Sequence, residues 1–378
     1  MFDLIRDLIA WTPLGLPAFL FVITLVVFFH ELGHFLVARY YGVKVDVFSV
    51  GFGKEIFGWT DGRGTRWKLS WVPVGGYVKF AGDADAASRP DSAAAARMSA
   101  AERASSLMFK PVGQRAAVAA AGPAANFLLA IVLFTGLFLY SGHTVMPPVI
   151  GQVTKDSPAA AAGIQTGDRV TRIDGTEITD FQQLPEIISI SGGDTLTIGL
   201  NRQGKDLTVY VAPRLMKTTD VLGNSIDQMV IGVRPDPKAP ITRERYGPVG
   251  AFMAACSQSW NIVHTTVVGI SQMITGKAGV DQLRGPVGIG QMTRQVADFG
   301  FLPLLNLVAI LSVSIGLANL FPIPLLDGGH LLYYACEAVL GRPLGERAQD
   351  VGFRLGLALV LGLMLLTTWN DLIRLNLF

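Results

Sequence analysis

Four stretches of the chain stay apolar long enough to cross a hydrocarbon core about 30 Å thick, which takes roughly 20 helical residues. They run about 16 to 38, 116 to 140, 302 to 325 and 351 to 369. Between them the period of the pattern changes. Behind the first stretch, Gly51-Phe52-Gly53 opens a run of strand character, with Thr65 to Trp71 and Gly75 to Phe80 flanking the turn Asp61-Gly62-Arg63-Gly64. This predicts one or two hairpins. Their glycine and aromatic content, so close to a span, predicts a sheet edge dipping toward the membrane. From 84 to 104 the chain is rich in Ala, Ser and Asp, the pattern of a loosely helical insertion. Residues 141–213 read as a small α+β domain, in which Ser157-Pro158-Ala159 starts a helical turn and Arg169 to Ile173 forms a strand. A helix follows Thr179-Asp180, and a closing hairpin sets Leu196, Ile198 and Leu200 against Leu207, Val209 and Val211. Residues 214–300 read as a linker carrying an interfacial helix. Its apolar run, Phe252 to Met273, is interrupted by Ser257, Gln258, Asn261, His264 and Thr265, which argues against a fifth span and makes His264 a polar-face residue.

Composition agrees with a polytopic α-helical membrane protein carrying a soluble portion: half of the 378 residues are hydrophobic and 16% are charged. The net charge of +2 hides an uneven distribution that predicts orientation. Twelve Lys and Arg against seven acids lie from Arg39 to Arg115, whereas only Arg6 precedes the first span. Arg342 and Arg347 fall between spans three and four and Arg354 at the start of the fourth, with only Arg374 after the last. Both counts place the first and last loops in the cytosol and the α+β domain outside. Cys256 and Cys336 then lie on opposite faces and form no internal disulfide. No basic tract interleaved with aromatics points to nucleic acid.

Ionisable groups inside a span are costly unless they pair or bind something. His30-Glu31-Leu32-Gly33-His34 lies within the first. Two histidines four apart on a helix aim at one point, with the glutamate on a neighbouring face, which is the geometry of a zinc site with its own general base. A catalytic zinc needs a third protein ligand. Charge-derived topology brings Asp327, at the cytosolic end of the third span, to the depth of His34. His330 is the rival ligand; Asp327 is preferred because it is nearer the membrane, leaving His330 a supporting role. Asn126 in the second span reads equally well as interhelical glue and as a functional group.

The run Ser-Pro-Ala-Ala-Ala-Ala-Gly-Ile, with Gly167-Asp168-Arg169-Val170 and Ile173-Asp174-Gly175, resembles a PDZ domain in permuted strand order. The resemblance puts its peptide groove beside Val149, Ile150 and Gly151. Taken together, the pentad, Gly122-Pro123-Ala124-Ala125-Asn126-Phe127, the PDZ-like insert and Asn319 to Asp327-Gly328 resemble the site-2 protease family of intramembrane zinc metalloproteases, in particular its RseP (regulator of sigma-E protease) branch. That resemblance implies Zn²⁺ held by His30, His34 and Asp327, with Glu31 as base. It also implies that Asn319 holds substrate backbone and that Gly51, Phe52 and Gly53 supply an edge strand. The implied substrates are single-span membrane proteins, namely anti-sigma-factor-like proteins and signal-peptide remnants, cut in the bacterial inner membrane in contact with lipid. The chain departs from members with two tandem PDZ domains in having one. A prenyl-protein protease fits the insert poorly, and a non-proteolytic PDZ scaffold would not need the pentad.

Overall fold

The computed structural model describes residues 15–83, 97–219, 225–240, 242–277, 279–280 and 283–374. The readings made for Arg6 and for 84–96 lie outside the described residues. The chain divides into two compact units, Met1–Phe134 with Arg284–Phe378, and Thr135–Leu283.

The first unit begins with helix α1 (Gly15–Tyr40), which buries Val22, Val26, His30 and Gly33 at helical spacing along one face. It stops where Gly42 takes a positive φ of 68°. Strands β1 (Val45–Thr60) and β2 (Arg66–Phe80) follow. Their register folds two long strands into one doubled antiparallel sheet. Val45 to Val50 pairs both with Arg66 to Leu69 and with Gly76 to Phe80, so that Gly76 to Phe80 forms one edge. Asp61 organises the far turn: its carboxylate accepts from Arg63 N at 2.9 Å, Thr65 N at 3.1 Å and Trp67 Nε1 at 3.1 Å, and from Arg39 at the end of α1. Burial opposes ionisation there, but these donors hold the carboxyl down at about 2. Helix α2 (Ala100–Ser105) carries a Ser99–Glu102 capping box.

Helix α3 (Val112–Ser141) contains Pro123, which cannot donate to the carbonyl four residues back. Gly33 permits close approach between α1 and α3, since a Cβ there would meet the backbone of Ala121 and, at 2.7 Å, Ala125 Cβ.

The second unit holds β3 (His143–Val145), β4 (Ile150–Val153), α4 (Pro158–Ala161), β5 (Arg169–Ile173), β6 (Thr176–Glu177), α5 (Gln183–Ile190), β7 (Leu196–Arg202) and β8 (Lys205–Val211). Strands β6, β5, β7 and β8 form one antiparallel sheet in that order. Residues 214–235, expected to be linker, instead extend this unit. Strands β9 (Arg214–Thr219) and β10 (Ser225–Val230) make a hairpin, and β11 (Val233–Pro235) pairs with β4. Ile231 completes the core around Ile150, Ile173 and Ile198. Under this core Asp168 is 1% exposed, and Arg202 meets it with two nitrogens at 2.7 Å each. Burial opposes ionisation, but the Arg202 guanidinium and the Gln165 N–H together hold the carboxyl below its usual range. Strand β12 (Thr242–Glu244) pairs with β3 and leads to α6 (Pro248–Ile274).

Back in the first unit, α7 (Pro286–Asp298) packs Ile289, Met292 and Val296 on Val22 and Val26 of α1 and on Leu304, Val308 and Leu311 of α8 (Phe301–Leu320). The third apolar stretch ends earlier than its pattern suggests. Phe321 is extended before Pro322, as a residue preceding proline tends to be. A new helix, α9 (Asp327–Leu340), starts after a six-residue break, and α10 (Glu346–Arg374) closes the chain. Helices α1, α3, α8 and α10 are long and apolar enough to cross a membrane.

Candidate metal centre

His30 and His34 lie one turn apart on the buried face of α1, and α9 opens with Asp327 directly against them. His30 Nε2 is 3.1 Å from Asp327 Oδ2, His34 Nε2 is 3.4 Å from Oδ1, and the two Nε2 atoms are 3.3 Å apart. A tetrahedral ion with arms of about 2.0 Å has edges of about 3.3 Å, which is the separation of the two Nε2 atoms, and each of them has one oxygen of the Asp327 carboxylate at a similar distance. Beyond its approach to His30 Nε2, Asp327 Oδ2 is buried without a hydrogen-bond partner, a second sign that a cation belongs there. Among the described residues these three form the cluster able to hold a metal ion. Each imidazole is turned by its other nitrogen. His34 Nδ1 is 2.8 Å from the Val118 carbonyl, and His30 Nδ1 is 3.2 Å from the Asn126 amide. Gly122 makes room for both rings, because a Cβ there would fall on the His34 imidazole and within 2.9 Å of His30 Cε1.

The cluster opens on a cavity of about 220 Å³ that also takes in Glu31, Asn319 and His330. Asn319 and Glu31 are thus brought to the histidines. His330 lines the same space but stands outside the three-residue cluster. The loop that carries Asp327 is strained, with Leu325 at a φ of 101°.

Gly51, Phe52 and Gly53 lie outside the lining of this cavity, to which Gly76, Tyr77 and Val78 contribute. The doubled register explains it: Val45 to Val50 is flanked on both sides, which leaves Gly76 to Phe80 as the edge beside α1. Gly76 lies against α1, where a Cβ would meet Glu31 Cγ at 3.4 Å, and the Val78 backbone N–H donates to the Glu31 carboxylate. Gly75-Gly76 was legible as part of a strand, but its place at the edge was not. Val149, Ile150 and Gly151, expected beside the peptide groove, have no open edge. Ile150 N donates to Asp168 O and Gly167 N to Ile150 O, while Asp236 N donates to Val149 O from the other side.

Sequence reasoning missed Arg115 and Tyr334, which line the cavity away from the strand edge. The Arg115 guanidinium pairs bidentately with Glu337 and lies 4.9 Å from the Tyr334 ring centre. Burial pushes the Tyr334 phenol up to about 12.

Comparison with known proteins gives the family. The profile described as Peptidase family M50 matches residues 18–363. A Rhizobium meliloti protein that carries the name putative zinc metalloprotease is 46% identical over 358 residues, covering 94% of this chain and 96% of its own. A Caulobacter vibrioides protein named metalloprotease MmpA is 37% identical over 385 residues, covering 96% of each chain. Among solved structures, the PDZ domain of an SdrC-like protein of Listeria monocytogenes is 26% identical over 23% of this chain and 84% of its own, with a TM-score of 0.19.

Proposed function

The chain belongs to Peptidase family M50 and is a membrane zinc metalloprotease, and on that footing we propose that it hydrolyses peptide bonds within the transmembrane segments of single-span membrane proteins. The observation that carries this reading is a strand edge, Gly76 to Val78, that shares a cavity with Glu31, His30 and His34 of an apolar helix and with Asp327 of α9. His30, His34 and Asp327 would hold the zinc, which would supply there a Lewis acid for the scissile carbonyl and for water. Glu31, oriented by the Val78 N–H, takes the proton from the attacking water and returns it to the leaving amine.

A transmembrane helix presents no free carbonyl, and unwinding it in lipid exposes groups that cost several kcal/mol each. The edge Gly76 to Val78 receives the unwound segment as an added strand, and the Asn319 amide holds its backbone. The positive loops support a zinc site toward the cytosolic side of a bacterial inner membrane, with the PDZ-like unit outside. There β11, which has one strand neighbour among the described residues, offers the edge for a substrate tail. The substrate classes are anti-sigma-factor-like proteins and remnant signal peptides, cut in regulated intramembrane proteolysis. Glu31→Gln tests the reading in membranes carrying a single-span reporter. Cleavage should fall 100-fold or more while zinc content is kept, the span of a lost general base being about 10²–10⁴. Cleavage at the normal rate would sink it.

A further inference from the structure

We infer that Asn126 is a positioning residue for the metal: its side-chain oxygen accepts the Nδ1–H of His30 and so fixes the ring in the tautomer that leaves Nε2 free to ligate. The inference rests on the reading that His30, His34 and Asp327 hold zinc. A ligating imidazole bound through Nε2 carries its hydrogen on Nδ1, and that hydrogen needs an acceptor. For His34 the acceptor is the Val118 carbonyl, 2.8 Å away. For His30 the group within reach is the side chain of Asn126, at 3.2 Å.

Asn126 is fully buried on α3, and its contact with α8 is made by its backbone rather than its amide. Ser312 Oγ donates to the Asn126 carbonyl at 2.8 Å. The amide is turned toward α1, where the polar group it meets is the ring of His30, so the interhelical bond this side chain makes is a bond to that histidine. As oriented, Nδ2 faces His30 Nδ1 and Oδ1 is buried without a partner. An amide N–H donating to Nδ1 would force the hydrogen of His30 onto Nε2, the atom that faces Asp327. With a metal on Nε2, two donors would oppose each other. A half-turn of the amide changes no shape, since its oxygen and nitrogen are nearly isosteric, and it sets Oδ1 on the Nδ1–H. The orphaned position behind then holds nitrogen instead of oxygen. A carboxylate in place of the amide has no donor to orphan at all, which separates acceptor from donor experimentally.

The test uses the full chain in detergent. Zinc affinity is measured by competition with a chromogenic chelator at fixed pH, alongside the Tm of each metal-free form. Asn126→Ala and Asn126→Leu should lose 10- to 100-fold in zinc affinity, the range for a lost partner of a ligating histidine, with the metal-free Tm little moved for Leu. Asn126→Asp should bind zinc at least as tightly as the parent to within threefold. Parent-like affinity in the Ala or Leu variants, or a loss in Asn126→Asp equal to that in Asn126→Ala, would overturn the inference. If neither apolar variant folds, the Asp variant decides alone. His30→Ala keeps the two readings apart. If it binds zinc like the parent, the ligand set is wrong; if it loses zinc while Asn126→Ala does not, only the role of Asn126 falls.

Discussion

Gly122 is where the metal centre is tightest. Adding a methyl group there has two opposed effects. Alanine favours a helix over glycine by up to about 1 kcal/mol. Against that, the new Cβ would press on both imidazoles, and overpacking of this kind costs about 2 kcal/mol. The two effects act on different states, since helix propensity is felt with or without metal whereas the clash displaces the ligands. Gly122→Ala should therefore leave the metal-free Tm level or raised and weaken zinc binding at least tenfold, read by chelator competition with thermal melts. The residues of the centre were legible because each sits in a short local signal, a pentad or an Asp-Gly pair. Their supports were not. Gly122 and Val118 act from α3, and nothing in the order of residues says which helix faces α1.

At the level of elements, the doubled sheet matters because it carries the edge beside Glu31. Its far turn depends on Asp61, whose carboxyl is held at about 2 against a usual value of about 3.9. A group depressed in the folded state adds stability that is complete above the unfolded pKa and fades as pH falls through the folded one. The Tm difference between the parent and Asp61→Asn should thus be constant above about pH 5 and shrink steadily from pH 4 toward pH 2, followed by circular dichroism. A difference independent of pH would remove Asp61 from the role described.

The hairpins were legible from Gly and Asp at their turns, but which strand became the edge was decided by pairing. Val45 to Val50 takes partners on both sides, and the irregular register that allows this leaves no trace in hydrophobic alternation. The second unit shows the same limit. Strand β11 has three residues, too few for a period, so the domain seemed to end at Pro213 although Ile231 lies in its core. The end of α8 was blurred for another reason: Leu320 to Leu326 is as apolar as the helix before it, and only the prolines mark the break.

In the molecule as a whole, the first unit is assembled from two separated segments. The proposed ligands come from both, His30 and His34 from one and Asp327 from the other. A ligand that binds only the folded form stabilises it by RT ln(1 + [L]/Kd), about 4 kcal/mol at a thousandfold excess over Kd. For a unit of this size that is on the order of 10 °C in Tm. Calorimetry with and without a strong chelator should show the melting of the first unit falling by that order while that of the second stays put. A shift shared equally by both, or by neither, would speak against a metal joining the two segments.

The same two-segment build bears on how the protease can diversify. In sequence the second unit is an insert between the two segments of the first, and the entropy of closing a flexible loop grows only with the logarithm of its length, about 0.6 kcal/mol for each doubling. Length is therefore a cheap variable at this point in the chain. An insert could be halved or duplicated at less cost to the catalytic framework than one misplaced methyl group on Gly122.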